Sequence, residues 1–173
     1  MAAQSRPSGS KETEVLCIYG FAFEFPALST IEFDPKFKRE KGDLAIKAPS
    51  KSVVFLSWGG LGRVIKRLPT PIEHSQYSVE RVAKSVQGKT TNVEQRQVSI
   101  NGHNAVYGRS RVESHGPLLG GGKRNQEIVS LHIHCDKAMR YYVIYTSFDP
   151  ARPKDPWQED AMKVIADTFK CHS

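Results

Sequence analysis

The sequence predicts an α+β fold, a central antiparallel sheet with flanking helices arranged as an α/β/α sandwich. Three observations predict it. Runs of β-branched and aromatic residues recur in adjacent pairs joined by short turns, which makes neighbouring strands antiparallel. Asn101-Gly102 separates two such runs in "NVEQRQVSINGHNAVYGRSRV", and this dipeptide suits both positive-φ positions of a type I′ hairpin turn. Two amphipathic segments stand apart from the strands, each announced by a polar cap and a proline, at Thr70-Pro71 and Asp155-Pro156. Each must lay one face on the sheet.

Residues 1–14, "MAAQSRPSGSKETE", have no apolar stretch of the kind that marks a secretory signal and are expected to be a disordered tail. Residues 15–173 are then one domain, a size that buries a core without staples. "VLCIYGFAFEFP" (15 to 26) reads as strand up to Pro26, with Gly20 marking a bulge or a break between two short strands. "TIEF" alternates Ile31 and Phe33 before turning at Asp34-Pro35, and "DLAIKAP" and "SVVFLSWG" continue the meander around the turn "PSK". "SWGGLGRVIKRLP" (57 to 69) predicts a surface helix of one or two turns. Leu61, Val64, Ile65 and Leu68 pack, while Arg63, Lys66 and Arg67 face water.

The next helix has Thr70 at the N-cap, Pro71 at the first helical position and Glu73 at the third, a capping box. Ile72, Val79, Val82, Ala83 and Val86 form its expected buried stripe, and Gly88 its left-handed stop. After the Asn-Gly hairpin, "EIVSLHIHCD" and "RYYVIYTSF" make a second strand pair around "KAM". The closing helix is capped by Asp155 and buries Trp157, Ala161, Met162, Ile165 and Phe169.

This order, with its capped helix, "SINGHNAVYG" hairpin, strand pair ending "YYVIYTSF" and C-terminal helix, resembles the PsbP-like superfamily over roughly residues 15 to 171. The resemblance implies an α/β/α sandwich around an antiparallel sheet. It also implies a partner-binding role without catalytic machinery, since the superfamily includes photosystem II extrinsic subunits and a nuclear-import factor that binds the GTPase Ran. It rests on element order and transfers no functional residue.

Composition is that of a globular protein, 39% hydrophobic and 25% charged, but the net charge is +7. Such a field attracts nucleic acid, anionic surfaces or acidic proteins. The three cysteines, Cys17, Cys135 and Cys171, have no CxxC spacing, which favours a reducing compartment and a cytoplasmic location. No apolar run is long enough to span a bilayer, so no membrane association is expected.

"HGPLLGGGKR" (115 to 124) invites a phosphate-loop reading and fails it. Pro117 stands where the first Walker A glycine belongs, Arg124 replaces the hydroxyl residue, and strands flank both sides. What remains is a long connection, residues 114 to 125, with Lys123 and Arg124 at a basic tip and Arg109 and Arg111 on the preceding strand. These four, with Arg63, Lys66 and Arg67, are the candidate anion or partner contacts. His132 and His134 share one strand face and are the candidate metal ligands, with Cys135 on the opposite face. Further ligands would have to come from His74, His103, His115 or a carboxylate, and alternation of a polar and an apolar face explains the pair more simply.

No GxSxG elbow, HExxH or SxxK spacing occurs. The expected function is therefore a non-catalytic binding or adaptor protein without a cofactor, acting on a protein partner. The alternative is a nucleic-acid- or ribonucleoprotein-associated protein. A metal-dependent enzyme on the His132/His134 face is the third reading.

Overall fold

The computed structural model describes residues 12–115 and 123–172. In chain order the elements are β1 (Thr13–Ile18), β2 (Phe21–Pro26), β3 (Thr30–Phe33), β4 (Gly42–Lys47), β5 (Val53–Gly60), α1 (Leu61–Val64), α2 (Pro71–Ser85), β6 (Lys89–Ile100), β7 (His103–His115), β8 (Lys123–Cys135), β9 (Arg140–Phe148) and α3 (Pro156–Thr168). Among the described residues, β3 to β9 form one seven-stranded antiparallel sheet in the order β3-β4-β5-β9-β8-β7-β6. No described helix is long and apolar enough to cross a membrane.

The N-terminal strands depart from the expected meander. Tyr19 and Gly20 both take positive φ (51° and 84°) and turn the chain tightly, so β1 and β2 form a separate antiparallel hairpin. Strand β1 begins at Thr13, inside the segment read as tail; the rest of that tail, residues 1–11, lies outside the described residues. Phe21, Phe23 and Phe25 alternate inward from β2, and the hairpin packs beside α3. There Phe21 meets Trp58 and Tyr142 at ring-centroid distances of 5.4 and 5.2 Å, and Phe23 stacks on Phe169 at 6.3 Å. This aromatic cluster, with Leu131, Ile133, Ala161 and Ile165, is the main core. Burying each such side chain contributes about 1.5–3 kcal/mol.

Both helix starts form as their sequences dictate. The Thr70 hydroxyl accepts from the Glu73 N–H while the Glu73 carboxylate accepts from the Thr70 N–H, and the Asp155 carboxylate accepts from the Trp157 N–H at 3.0 Å. Asp155 also accepts from the Ser50 and Ser52 hydroxyls, tying α3 to the β4–β5 turn. The end of α2 differs from expectation. Gln87, not Gly88, takes the left-handed conformation (φ 52°), and the Gly88 N–H donates back to the Ala83 carbonyl at 2.7 Å. Gly88 is needed for space, because a Cβ there would lie 2.5 Å from the Glu113 carbonyl oxygen.

The buried face of α2 is also not the predicted stripe. Val79 and Ala83 are buried with Val112 and Ile128, but Val82 and Val86 are exposed, and His74 and Ser75 are buried in their place. The reason lies beneath the helix. β8 turns Ser130, His132 and His134 to α2 and Leu131, Ile133 and Cys135 to the aromatic core, so both of its faces are covered.

Candidate functional site

Two of the seven predicted cationic contacts stand against a buried carboxylate. Arg109 donates to Glu127, a carboxylate that is 2% exposed, and Arg111 and Lys154 each stand 3.8 Å from it. The two arginines thus neutralise a buried acid. Lys123 and Arg124 are the first residues of β8, in backbone register with His115 and Ser114, rather than a loop tip. Their side chains and the glycine loop, 116–122, lie outside the described residues.

Arg63, Lys66 and Arg67 are exposed as predicted, and no salt bridge among the described residues reaches them. They surround α1, where Leu61 is fully buried but Ile65, expected to pack, is 37% exposed. The Leu61 N–H donates to the Met139 carbonyl at 2.9 Å, which brings the β8–β9 turn alongside. Met139 is 52% exposed and held at φ 50°, a conformation that favours glycine or asparagine. Exposed Lys137 lies on the same turn, and the Arg140 guanidinium donates to the carbonyl of Tyr19, itself 38% exposed. One end of the sheet therefore carries three exposed apolar side chains, Tyr19, Ile65 and Met139, among Arg63, Lys66, Arg67 and Lys137.

His132 and His134 share a face as predicted, but that face is the interior under α2. His74 from α2 meets them, with Nδ1 3.3 Å from His134 Nε2 and its ring 5.0 Å from His132 and 4.8 Å from Tyr141. Burial, then the neighbouring His134, lowers the His74 pKa to about 4. Burial pushes His132 well below the ordinary histidine value, and neither of its ring nitrogens has a hydrogen-bond partner among the described residues. These rings act as neutral packing groups.

The donor atoms that do converge belong to residues the sequence reading left apart. His103 at the start of β7, Cys135 at the end of β8, and Cys171 and His172 beyond α3 bring one nitrogen or sulfur each to within 4.8 Å of one another. His172 Nδ1 lies 3.6 Å from Cys135 Sγ and 3.3 Å from Cys171 Sγ. Burial and a hydrogen bond with Cys135 push the Cys171 thiol pKa up, and burial beside His172 and Lys137 lowers that of His103. Cys135 is also the core residue that alternation predicts, fully buried. The adjacent Cys171-His172 pair was the one sequence signal available; its partners lie on distant strands.

The fold is PsbP-like. The chain is similar to the solution structure of cyanobacterial PsbP (CyanoP) from Synechocystis sp. PCC 6803, with a TM-score of 0.62, 11% identity and 97% of each chain covered. It is also similar to PA94, a putative regulator of unknown function from Pseudomonas aeruginosa, with a TM-score of 0.48, 14% identity, 90% of this chain and 94% of that one covered. No family model matches the sequence, and neither does any curated protein.

Proposed function

We propose that this protein is a non-catalytic binding or adaptor module that docks an acidic protein partner at the α1 end of its sheet. The observation that carries this reading is the interleaving of exposed Tyr19, Ile65 and Met139 with the exposed cations Arg63, Lys66 and Arg67, which no salt bridge among the described residues reaches. Exposed apolar anchors give affinity when desolvated, and surrounding charge gives orientation and on-rate. Met139 holds its side chain outward from a backbone conformation that is costly for it, which fits a constrained contact residue. Glu127 offsets part of the charge of Arg109 and Arg111, which supports a protein partner over the nucleic-acid alternative. We further read the layering, α2 on one sheet face and α3 with the β1–β2 hairpin on the other, as an α/β/α sandwich, and the site of action as the cytoplasm.

The test compares wild-type protein with Met139→Asp and with a combined Arg63→Glu, Lys66→Glu, Arg67→Glu variant in affinity capture followed by identification. The expected result is an acidic protein retained stoichiometrically by the wild type and lost by both variants. Retention unaffected by either change, or recovery of nucleic acid with a steep log–log salt dependence, would overturn the reading.

A further inference from the structure

We propose that His103, Cys135, Cys171 and His172 form a structural zinc site that clamps the chain's last residues to the end of the sheet. This goes beyond the docking surface and does not depend on it. Zinc is held tetrahedrally by thiolate and imidazole donors at about 2.3 and 2.0–2.1 Å, which sets each sulfur-to-nitrogen edge of the tetrahedron at about 3.6 Å. The two edges between His172 and the cysteines are 3.6 and 3.3 Å, so two of the four sulfur-to-nitrogen edges already stand near coordination spacing. All four donor atoms fall within 4.8 Å, and small side-chain rotations close the remainder. Two sulfurs with two nitrogens select zinc among the available divalent ions over magnesium or calcium, and four protein donors leave no open position, as in structural rather than catalytic sites.

The surroundings hold these ligands in place. The Ala138 N–H donates to Cys135 Sγ at 3.4 Å, a bond that steadies a thiolate. The Tyr142 hydroxyl donates to the Cys171 carbonyl at 3.0 Å, and Lys170 exchanges backbone hydrogen bonds with Ala22 at 2.7 and 2.9 Å. The Asn101 side chain donates to the Phe169 carbonyl, which joins the β6–β7 turn to the same segment. Binding displaces the two thiol protons and leaves the ion buried on the cysteine side and reachable from solvent past His172. An external two-electron oxidant such as dioxygen, taking both electrons as the two thiol protons leave, would join Cys135 to Cys171 and remove both sulfur ligands.

The experiment uses the full chain, without a histidine tag, kept reduced and titrated with Co²⁺ and then Zn²⁺. The expected result is one equivalent of Co²⁺ with the visible bands of four-coordinate cobalt and thiolate-to-cobalt charge transfer in the near ultraviolet, displaced by Zn²⁺. Cys171→Ser should abolish the charge-transfer intensity from one thiolate. His172→Ala, at an exposed position where folding is not at risk, should weaken zinc by at least about 100-fold, the upper end of what losing even an outer hydrogen-bonding partner of a metal ligand costs. His132→Gln should leave stoichiometry and spectrum unchanged. Absence of the charge-transfer bands in reduced protein, or zinc affinity indifferent to both His103→Ala and His172→Ala, would overturn the assignment.

Discussion

Acid should loosen the contact between α2 and the sheet before it affects the rest of the molecule. His74 is pressed between His132, His134 and Tyr141 and keeps a pKa of about 4, against 6.5 for the unburied side chain. Between those values the unfolded chain takes up a proton that the folded chain refuses, so stability falls as pH falls. For His74 alone the loss is about 1 kcal/mol at about pH 5.5 and reaches about 3 kcal/mol below its folded pKa. His132 and His134 are shifted in the same direction and add to it. Asp155, whose pKa is lowered by the Ser50, Ser52 and Trp157 hydrogen bonds, loses its contribution only below the ordinary carboxylate value of 3.8, so its window is separate. Urea unfolding at constant ionic strength between about pH 7.5 and 4.5 reads the slope, and imidazole NMR should show the His74 ring neutral down to about pH 4. A flat stability profile over that range, or an identical slope in His74→Gln, would refute the reasoning.

Other consequences are open to direct measurement. Thr70→Ala removes the hydroxyl that accepts from the Glu73 N–H, while the backbone N–H of residue 70 still reaches the Glu73 carboxylate, and should lower unfolding stability by about 1 kcal/mol. Gly88→Ala drives a methyl into the Glu113 carbonyl and should cost about 1–3 kcal/mol by the same assay, although its φ suits alanine. Arg109→Ala leaves the Glu127 carboxylate buried with Arg111 and Lys154, each 3.8 Å away, as its remaining ion-pair partners among the described residues and should cost about 2 kcal/mol. Glu127→Gln should recover part of that loss in the Arg109→Ala background.

What was legible in the sequence was local. The Asn101-Gly102 turn and the caps at Thr70 and Asp155 form because a few neighbouring residues determine them, and the antiparallel pairing of consecutive strands follows from their connections, whereas the β5–β9 pairing does not. What depends on tertiary contact was not legible. His74 and Ser75 are buried because Ser130, His132 and His134 face them, and two polar faces covering each other give no hydrophobic signal. The joining of Arg109 and Arg111 to Glu127 requires the β7–β8 register, which no count of charges supplies. The His103, Cys135, Cys171 and His172 cluster needs two turns and the chain end to meet at one edge of the sheet. The two-stranded hairpin at β1–β2 was half visible, since Gly20 marked the break but not the change of sheet.

The strand order also sets a sequence of events in folding. Strands β3 to β5 pair with chain neighbours, as do β6 to β9, but the two groups are joined along one seam, from Gly60 opposite Arg140 to Phe55 opposite Tyr145. Closing that seam fixes a loop spanning nearly half the chain before the stacked Phe55 and Tyr145 rings, 5.0 Å apart, reward it. During synthesis β5 therefore emerges with a vacant hydrogen-bonding edge, apolar on both faces, and keeps it until β9 is made. Over that interval the nascent chain is open to pairing with a neighbour's β5, so the hazard of aggregation or strand exchange concentrates at Val53–Gly60.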